Sequence, residues 1–245
     1  MELQEVEEKL NFWGFPHETW HLGTIGNFPL DLNPRTIIVT WLTMVLVALF
    51  AVLATRKMDI KRPNKLQVVI EMIYDFVRGL VTDQIQDPVK AMSFLSIALT
   101  YFIFILFSNL LGLVPTLTSP TADINTTVGF ALCTFFLFQY FGLRYKGVKH
   151  FKHYIEPYVF FLPINIVEDL SKPITLSFRL YGNIFAGEVL LFVILGLMPF
   201  VLDLAGGFVV SVVWLGYSIF VGCIQAFVFT MLSIVYVAQK VAEEH

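Results

Sequence analysis

The chain has 245 residues, of which 57% are hydrophobic and only 14% are charged, and its formal net charge is −3 at pH 7. Soluble domains carry about a quarter charged residues, so this chain has too few polar side chains to cover a surface that faces water. The composition therefore predicts a single integral membrane domain over residues 1–245. The negative net charge gives no case for nucleic-acid binding, which needs basic clusters with interleaved aromatic residues on a soluble face.

Five apolar stretches follow one another along the chain, each long enough to cross a hydrocarbon core, which takes roughly 17 to 25 helical residues. They cover residues 36–55, 91–115, 127–143, about 164–198 and about 207–239. The break MPFVLDLAGG separates the last two stretches. We therefore expect an all-α polytopic membrane protein with five transmembrane helices.

Residues 63–86, between the first two spans, carry apolar side chains at helical spacing, whereas Glu71, Asp75 and Arg78 fall elsewhere. The apolar positions are Leu66, Val69, Ile70, Ile73, Val77 and Leu80. This pattern predicts an amphipathic helix that lies along the membrane surface or on a partner, with Pro63 in its first turn.

The fourth span is too long to stand upright in a membrane. Its residues would make a helix of about 52 Å at 1.5 Å per residue, against a hydrocarbon core of about 30 Å. The helix must therefore tilt steeply or break, and Pro173 is the expected position of a kink.

Basic residues predict how the chain is oriented. Twelve of the 16 lysines and arginines lie on one side of the predicted membrane, seven between the first two spans, four after the third and Lys240 near the C-terminus. Only Lys9 and Arg35 lie in segments on the other side. Since basic loops stay in the cytoplasm, we expect the N-terminal segment 1–35 outside and the amphipathic helix and C-terminus inside.

Two basic residues, Lys172 and Arg179, lie inside the fourth span, where a charge near the bilayer centre costs roughly 2.5 to 3.5 kcal/mol. At 100° per residue, Glu168, Lys172, Arg179 and Asn183 share one face, which predicts contact with protein or with a water path. Glu168 and Lys172 form an i,i+4 pair that can neutralise itself, so Lys172 is expected to have a structural or interfacial role.

Arg179 has no acidic residue three or four positions away on its own helix. Arginine stays protonated, so it cannot carry protons, but it can attract a carboxylate of another subunit and make that group release its ion. The alternative is a structural arginine paired with a carboxylate elsewhere in this chain. Glu188 lies nine residues further on, on the opposite face, where an acid could relay protons.

Polar residues of the last span recur at multiples of seven, and they are Ser211, Ser218, Gln225 and Gln239. We expect them along one face, which either lines a polar path opposite Arg179 or supplies hydrogen bonds between helices. Cys133 and Cys223 lie in apolar stretches, so we expect both to be buried as small hydrophobic residues.

One further motif and one further class of protein are alternatives to this interpretation. His17, Glu18 and His21 satisfy H-E-x-x-H, which binds zinc when it lies on a helix, so a metalloprotease is one rival. The motif lies between Pro16 and Gly23, which disfavours a helix long enough to hold both ligands. A free-standing channel or secondary transporter is the other rival, although no inverted repeat supports it.

Three segments closely resemble the signature sequences of subunit a of F-type ATP synthases. They are PINIVEDLSKPITLSFRLYGNIFAGE at 163–188, IQAFVFTMLSIVY at 224–236 and SNLLGLVP at 108–115. The resemblance implies a non-catalytic stator subunit of the membrane (Fo) sector, which couples proton flow to ATP synthesis in a bacterial plasma membrane or a thylakoid membrane. Its implied partners are the c-ring of proteolipid subunits, b-type peripheral stalk subunits and the F1 sector, with no cofactor or metal.

Residues 164–239 resemble the family's near-horizontal hairpin, which wraps around the ring. The resemblance also implies roles for individual side chains of this segment. The family's arginine falls on Arg179, between two offset half-channels, where it holds the ring carboxylate ionised and blocks leakage. Asn183 and Gln225 match positions near that arginine. Glu188 matches an acid of the external half-channel.

The resemblance also concerns the cytoplasmic half-channel, and this sequence departs from the family at one position of the external half-channel. Glu168 and Asp169, with Lys172 beside them, would suit the cytoplasmic half-channel. Some bacterial members carry a histidine where Ser218 stands, and serine cannot titrate. The external path would then rely on Glu188, water and Tyr217, and the choice between H⁺ and Na⁺ stays open.

Overall fold

The structure is a computed structural model that describes residues 20–25, 28–56, 58–59, 63–114, 119–147, 159–197 and 205–241. Within these ranges, the side chains of residues 20–32, 159, 188–197 and 205–211 lie outside the description. His17 and Glu18 also lie outside the described residues.

The N-terminal segment contains a two-stranded antiparallel hairpin, β1 (Trp20–Ile25) and β2 (Phe28–Leu32). This hairpin lies in the N-terminal segment 1–35, outside the predicted spans, and the described elements within those spans are helical, as the all-α fold class predicts. His21 lies in β1, so the H-E-x-x-H motif is not held on a helix at that residue.

Six helices follow in the described part of the chain, together with 3₁₀ turns at Pro120–Ala122 and Val159–Phe161. They are α1 (Pro34–Thr55), α2 (Lys65–Gln84), α3 (Pro88–Leu111), α4 (Ile124–Lys146), α5 (Leu162–Leu197) and α6 (Ala205–Val241). Asn33 and Asp87 begin α1 and α3 by accepting a hydrogen bond from the backbone two residues on, each with a proline at the first helical position. These are standard start signals for a helix.

Four helices of the described chain are long and apolar enough to cross a membrane, namely α1, α3, α4 and the part of α6 from Val212 to Val241. The fold is thus that of a polytopic helical membrane protein. Helix α5 has 36 residues and carries charged residues along its first half.

Helix α2 is amphipathic as predicted, but only part of its apolar face packs against the bundle. Val77 and Val81 are fully buried against Phe94 and Leu95 of α3. Leu66 and Val69, near the beginning of the helix, are exposed instead. Pro63 precedes the capping residue Asn64 and therefore lies outside the first turn, contrary to the prediction.

Helices α5 and α6 are the longest elements, and each is continuous. At 1.5 Å per residue, they extend for about 54 and 56 Å. Helix α5 runs through Pro173 without interruption, so the structure does not show the break that was one of the two alternatives.

The polar positions of α6 differ in burial. Gln225 is buried whereas Gln239, near the end of the helix, is exposed. The prediction of burial for Cys133 and Cys223 is wrong, since both are exposed on sides of α4 and α6 that face away from the bundle. An apolar span can present small residues outward, because lipid and partner helices are apolar as well.

The core between α5 and the rest of the bundle is narrow. Leu176 and Leu180 of α5 are fully buried and pack in one cluster with Ala226 and Phe229 of α6 and Tyr101 of α3. The Tyr101 and Phe229 rings meet edge to face with 5.6 Å between their centroids. Along residues 162–187 of α5, the buried side chains thus follow one side of the helix, and the remaining sides are exposed or partly exposed.

Candidate functional site

Arg179 lies on an exposed side of α5, one residue before the buried Leu180. The neighbouring side chains Thr175 and Phe178 are exposed as well. No acidic side chain among the described residues lies within ion-pair distance of Arg179. The structure therefore places a fixed cation on the outer surface of the helix.

Asn183, one turn after Arg179, connects α5 to α6. Its Nδ2 donates a hydrogen bond of 2.6 Å to Oε1 of Gln225. Gln225 is 1% exposed, and its own Nε2 has no hydrogen-bond partner among the described residues. A buried amide N–H without a partner is available to a water molecule or to a group brought by another subunit.

A cavity of about 110 Å³ lies beyond this bond, between α3, α5, α6 and the segment at Ser119. Its polar lining consists of Asn109, Ser119, Asn183, Tyr217 and Ser218. This volume has room for several water molecules. Gly187 also lines the cavity, and Glu188 is the next residue of α5, although its side chain lies outside the described residues.

A chain of buried hydrogen bonds, which was not predicted from the sequence, forms one wall of the cavity. Asn109 Nδ2 donates to the backbone carbonyl of Gly222 on α6 at 3.1 Å, and Thr121 Oγ1 donates to Asn109 Oδ1 at 2.9 Å. The hydroxyls of Ser119 and Thr121 are 2.6 Å apart, and Ser119 Oγ donates to the carbonyl of Ser108 at 3.2 Å. The sequence contains one indication of these contacts, an asparagine within an apolar span, because such a side chain needs a hydrogen-bond partner there.

A second polar cluster lies near the other end of α5, around Asp169. The predicted pair of Glu168 and Lys172 is confirmed, with 3.3 Å between Oε1 and Nζ. Lys172 lies closer to Asp169 Oδ1, at 2.8 Å, and Lys240 of α6 donates to Asp169 Oδ2 at 2.6 Å. The Glu168 side chain is 63% exposed and that of Asp169 only 6%, so the two acids have different environments.

The described part of the site thus has three levels along α5. An exposed acid and a buried ion-pair cluster lie at the start of the helix, the exposed Arg179 lies in the middle, and a polar cavity lies beyond. A fixed cation between two polar regions can bind a carboxylate presented from outside the chain and favour its ionised form.

The family described as ATP synthase A chain matches residues 37–238 of this sequence. The chain belongs to that family. A protein named ATP synthase subunit a from Desulforamulus reducens is 47% identical over 99% of this chain and 92% of its own length. Proteins of the same name from Staphylococcus saprophyticus and Bacillus subtilis are 40% and 37% identical, over 89% and 91% of this chain and 95% and 98% of their lengths.

Membership in the ATP synthase subunit a family agrees with the resemblance drawn from the signature segments. The chain is a multi-pass membrane subunit of the Fo sector, of bacterial type, and it takes part in proton transport for ATP synthesis within a complex of several subunits.

Proposed function

We propose that this chain is the stator subunit that delivers protons to a rotating c-ring and receives them from it. In this proposal Arg179 makes each ring carboxylate release its proton. The main support is the exposed position of Arg179, without an acidic partner among the described residues, while Asp169 and Lys172 on the same helix are paired. An unpaired cation in a membrane helix requires a counter-charge, and a carboxylate on a neighbouring subunit supplies it.

The proton path consists of two half-channels that do not meet. The external half-channel is the polar cavity at Ser218 and Asn183, with Glu188 as its titratable group. The cytoplasmic half-channel begins at the exposed Glu168. Arg179 lies about 16 Å from Glu168 and about 14 Å from Glu188 along the helix axis, and its charge repels a proton that would pass directly between them.

The surface around Arg179 suits a partner made of closely packed helices. Thr175 and Ala186, four residues before and seven residues after Arg179 on α5, are small and exposed. Small residues let the backbone of another membrane helix approach closely. This surface supports contact with the ring, and the other partners we propose are b-type stalk subunits and, through the complex, the F1 sector.

We further propose that α5 is the fifth span and crosses the membrane at a steep tilt together with α6. Its length of about 54 Å exceeds the hydrocarbon core of about 30 Å, and its exposed polar side chains then lie in the half-channels or against the ring. The basic loops place the C-terminus in the cytoplasm and residues 1–35 outside.

Co-purification tests the proposed function directly. If the chain is extracted from its membrane in mild detergent through an affinity tag, we expect a ring of small proteolipid subunits and b-type subunits in the same particle. A chain that purifies alone and conducts ions in liposomes would instead support a free-standing channel. Stoichiometric zinc that is lost on His17→Ala would support the metalloprotease.

We expect Glu188→Gln to lower the proton flux by at least about tenfold, because an amide cannot take up and release protons as a carboxylate does. ATP-driven acidification of inverted membrane vesicles measures this flux. Asp75→Asn, which removes an exposed acid from α2, is the matched control and should leave the flux unchanged. Normal flux in Glu188→Gln would remove Glu188 from the path.

A further inference from the structure

We infer that Asp169 and Lys240 form a tie between α5 and α6 that positions Arg179, and that Asp169 is a positioning residue and not a proton carrier. This inference rests on the proposed function, because the role of Arg179 supplies one of the two measurements that test it. The second measurement, the access of water to position 169, does not depend on pumping.

The contacts of Asp169 differ from those of a group that exchanges protons with water. Its carboxylate accepts hydrogen bonds from Lys240 of α6 at 2.6 Å, Lys172 of α5 at 2.8 Å and Gln139 of α4 at 3.3 Å. The side chains of Asp169 and Lys240 are 6% and 5% exposed. One carboxylate thus connects three helices at a site from which water is largely excluded.

A second tie connects the same two helices one turn after Arg179. It is the hydrogen bond between Asn183 and Gln225. On α5 the two ties are 14 residues apart, about 21 Å, and on α6 they are 15 residues apart, about 22 Å. Because the spacing between the two ties is nearly the same on α5 and on α6, the antiparallel helices can make both contacts in a single register. Arg179 lies between the two ties, next to the buried Leu180, so its position on the surface follows from both.

The charged groups of the cluster do not depend on one another equally, and a series of substitutions can detect the difference. Asp169 has two lysines, so it keeps a counter-ion when Lys240 is replaced. Lys172 and Lys240 both contact the Asp169 carboxylate, so replacement of Asp169 by asparagine leaves two ammonium groups close together with a neutral amide between them. Removing one partner of a buried pair is far more harmful than removing both.

The first test compares Asp169→Asn, Lys240→Met and the double variant in the assembled complex. We expect Lys240→Met, which removes the tie, to lower ATP-driven proton pumping about threefold, and Asp169→Asn, which also leaves buried lysines without their carboxylate, to lower it at least about tenfold. The double variant is expected to return to the Lys240→Met level. Lys65→Gln, which removes an exposed lysine from α2, is the control for loss of one positive charge.

The double variant discriminates between a tie and a carrier, because asparagine cannot carry a proton. If Asp169 carries protons, pumping stays as low in the double variant as in Asp169→Asn. That result would overturn the inference, and so would normal pumping in Asp169→Asn or in Lys240→Met.

The second test measures access of water and does not need a pumping complex. Asp169→Cys is made together with Lys240→Met, in a chain whose Cys133 and Cys223 are replaced by serine, and a membrane-impermeant thiol reagent is added to inverted vesicles. We expect little labelling at position 169 and at least about tenfold faster labelling of the exposed Glu168→Cys. Equal labelling would place Asp169 in an aqueous channel and overturn the tie, whether or not the proposed function holds.

Discussion

Arg179→Ala is expected to abolish ATP-driven proton pumping while the complex still assembles. The guanidinium is exposed and has no ion pair among the described residues, so its loss removes no contact that folds this chain. It does remove the positive charge that keeps the ring carboxylate ionised. We expect pumping to fall by about 100-fold or more, as when a fixed stabilising charge is removed from a low-dielectric site.

The measurement is acidification of inverted vesicles with ATP, together with the amount of chain present in the purified complex. Arg78→Ala is the matched control, since Arg78 is an exposed arginine of α2 outside the apolar spans. The passive leak of protons should rise in Arg179→Ala, because the charge that separates the half-channels is gone. Unchanged coupled pumping in Arg179→Ala would refute the proposed mechanism.

Gly112→Ala is expected to reduce the amount of folded chain, for a steric reason alone. A Cβ atom at Gly112 would lie 2.6 Å from Cβ of Ser119 and 3.1 Å from its Cα. The backbone of Gly112 is helical, with φ −63° and ψ −13°, so alanine fits its backbone conformation. The collision pushes Ser119 away and breaks its hydrogen bonds to Ser108 and Thr121, at a cost of about 1–3 kcal/mol or more.

Thermal release of the chain from the purified complex, followed by gel electrophoresis, measures this loss of stability. Gly129→Ala on α4 is the control, because a Cβ atom there has no other atom within 4 Å. We expect a lower midpoint for Gly112→Ala and an unchanged or higher one for Gly129→Ala, since alanine favours helix more than glycine does. Equal midpoints in both variants would show that the segment at Ser119 does not pack as described.

The helices could be predicted from the sequence to within four residues at either end. Helix α1, for example, was predicted at 36–55 and runs from Pro34 to Thr55. Apolar length and prolines next to capping residues carry this information, because both act over a few neighbouring residues. The pair of Glu168 and Lys172 could be predicted for the same reason, as its partners are one helical turn apart.

Contacts between distant segments could not be predicted in this way. Asp169 and Lys240 are 71 residues apart, Asn183 and Gln225 are 42 apart, and Asn109 and Gly222 are 113 apart. Each contact depends on which faces of two helices meet, and this is not a property of either helix alone.

By itself, the sequence determined that this chain is a helical membrane protein with an arginine that has no acid nearby on its helix, because composition and spacing are local properties of the chain. Only the tertiary structure decided that Arg179 lies on the outer surface while Asp169 is enclosed by two lysines. Burial is the physical reason, since it depends on the helices packed around a residue. Two acids adjacent in sequence, Glu168 and Asp169, are thereby placed in different environments.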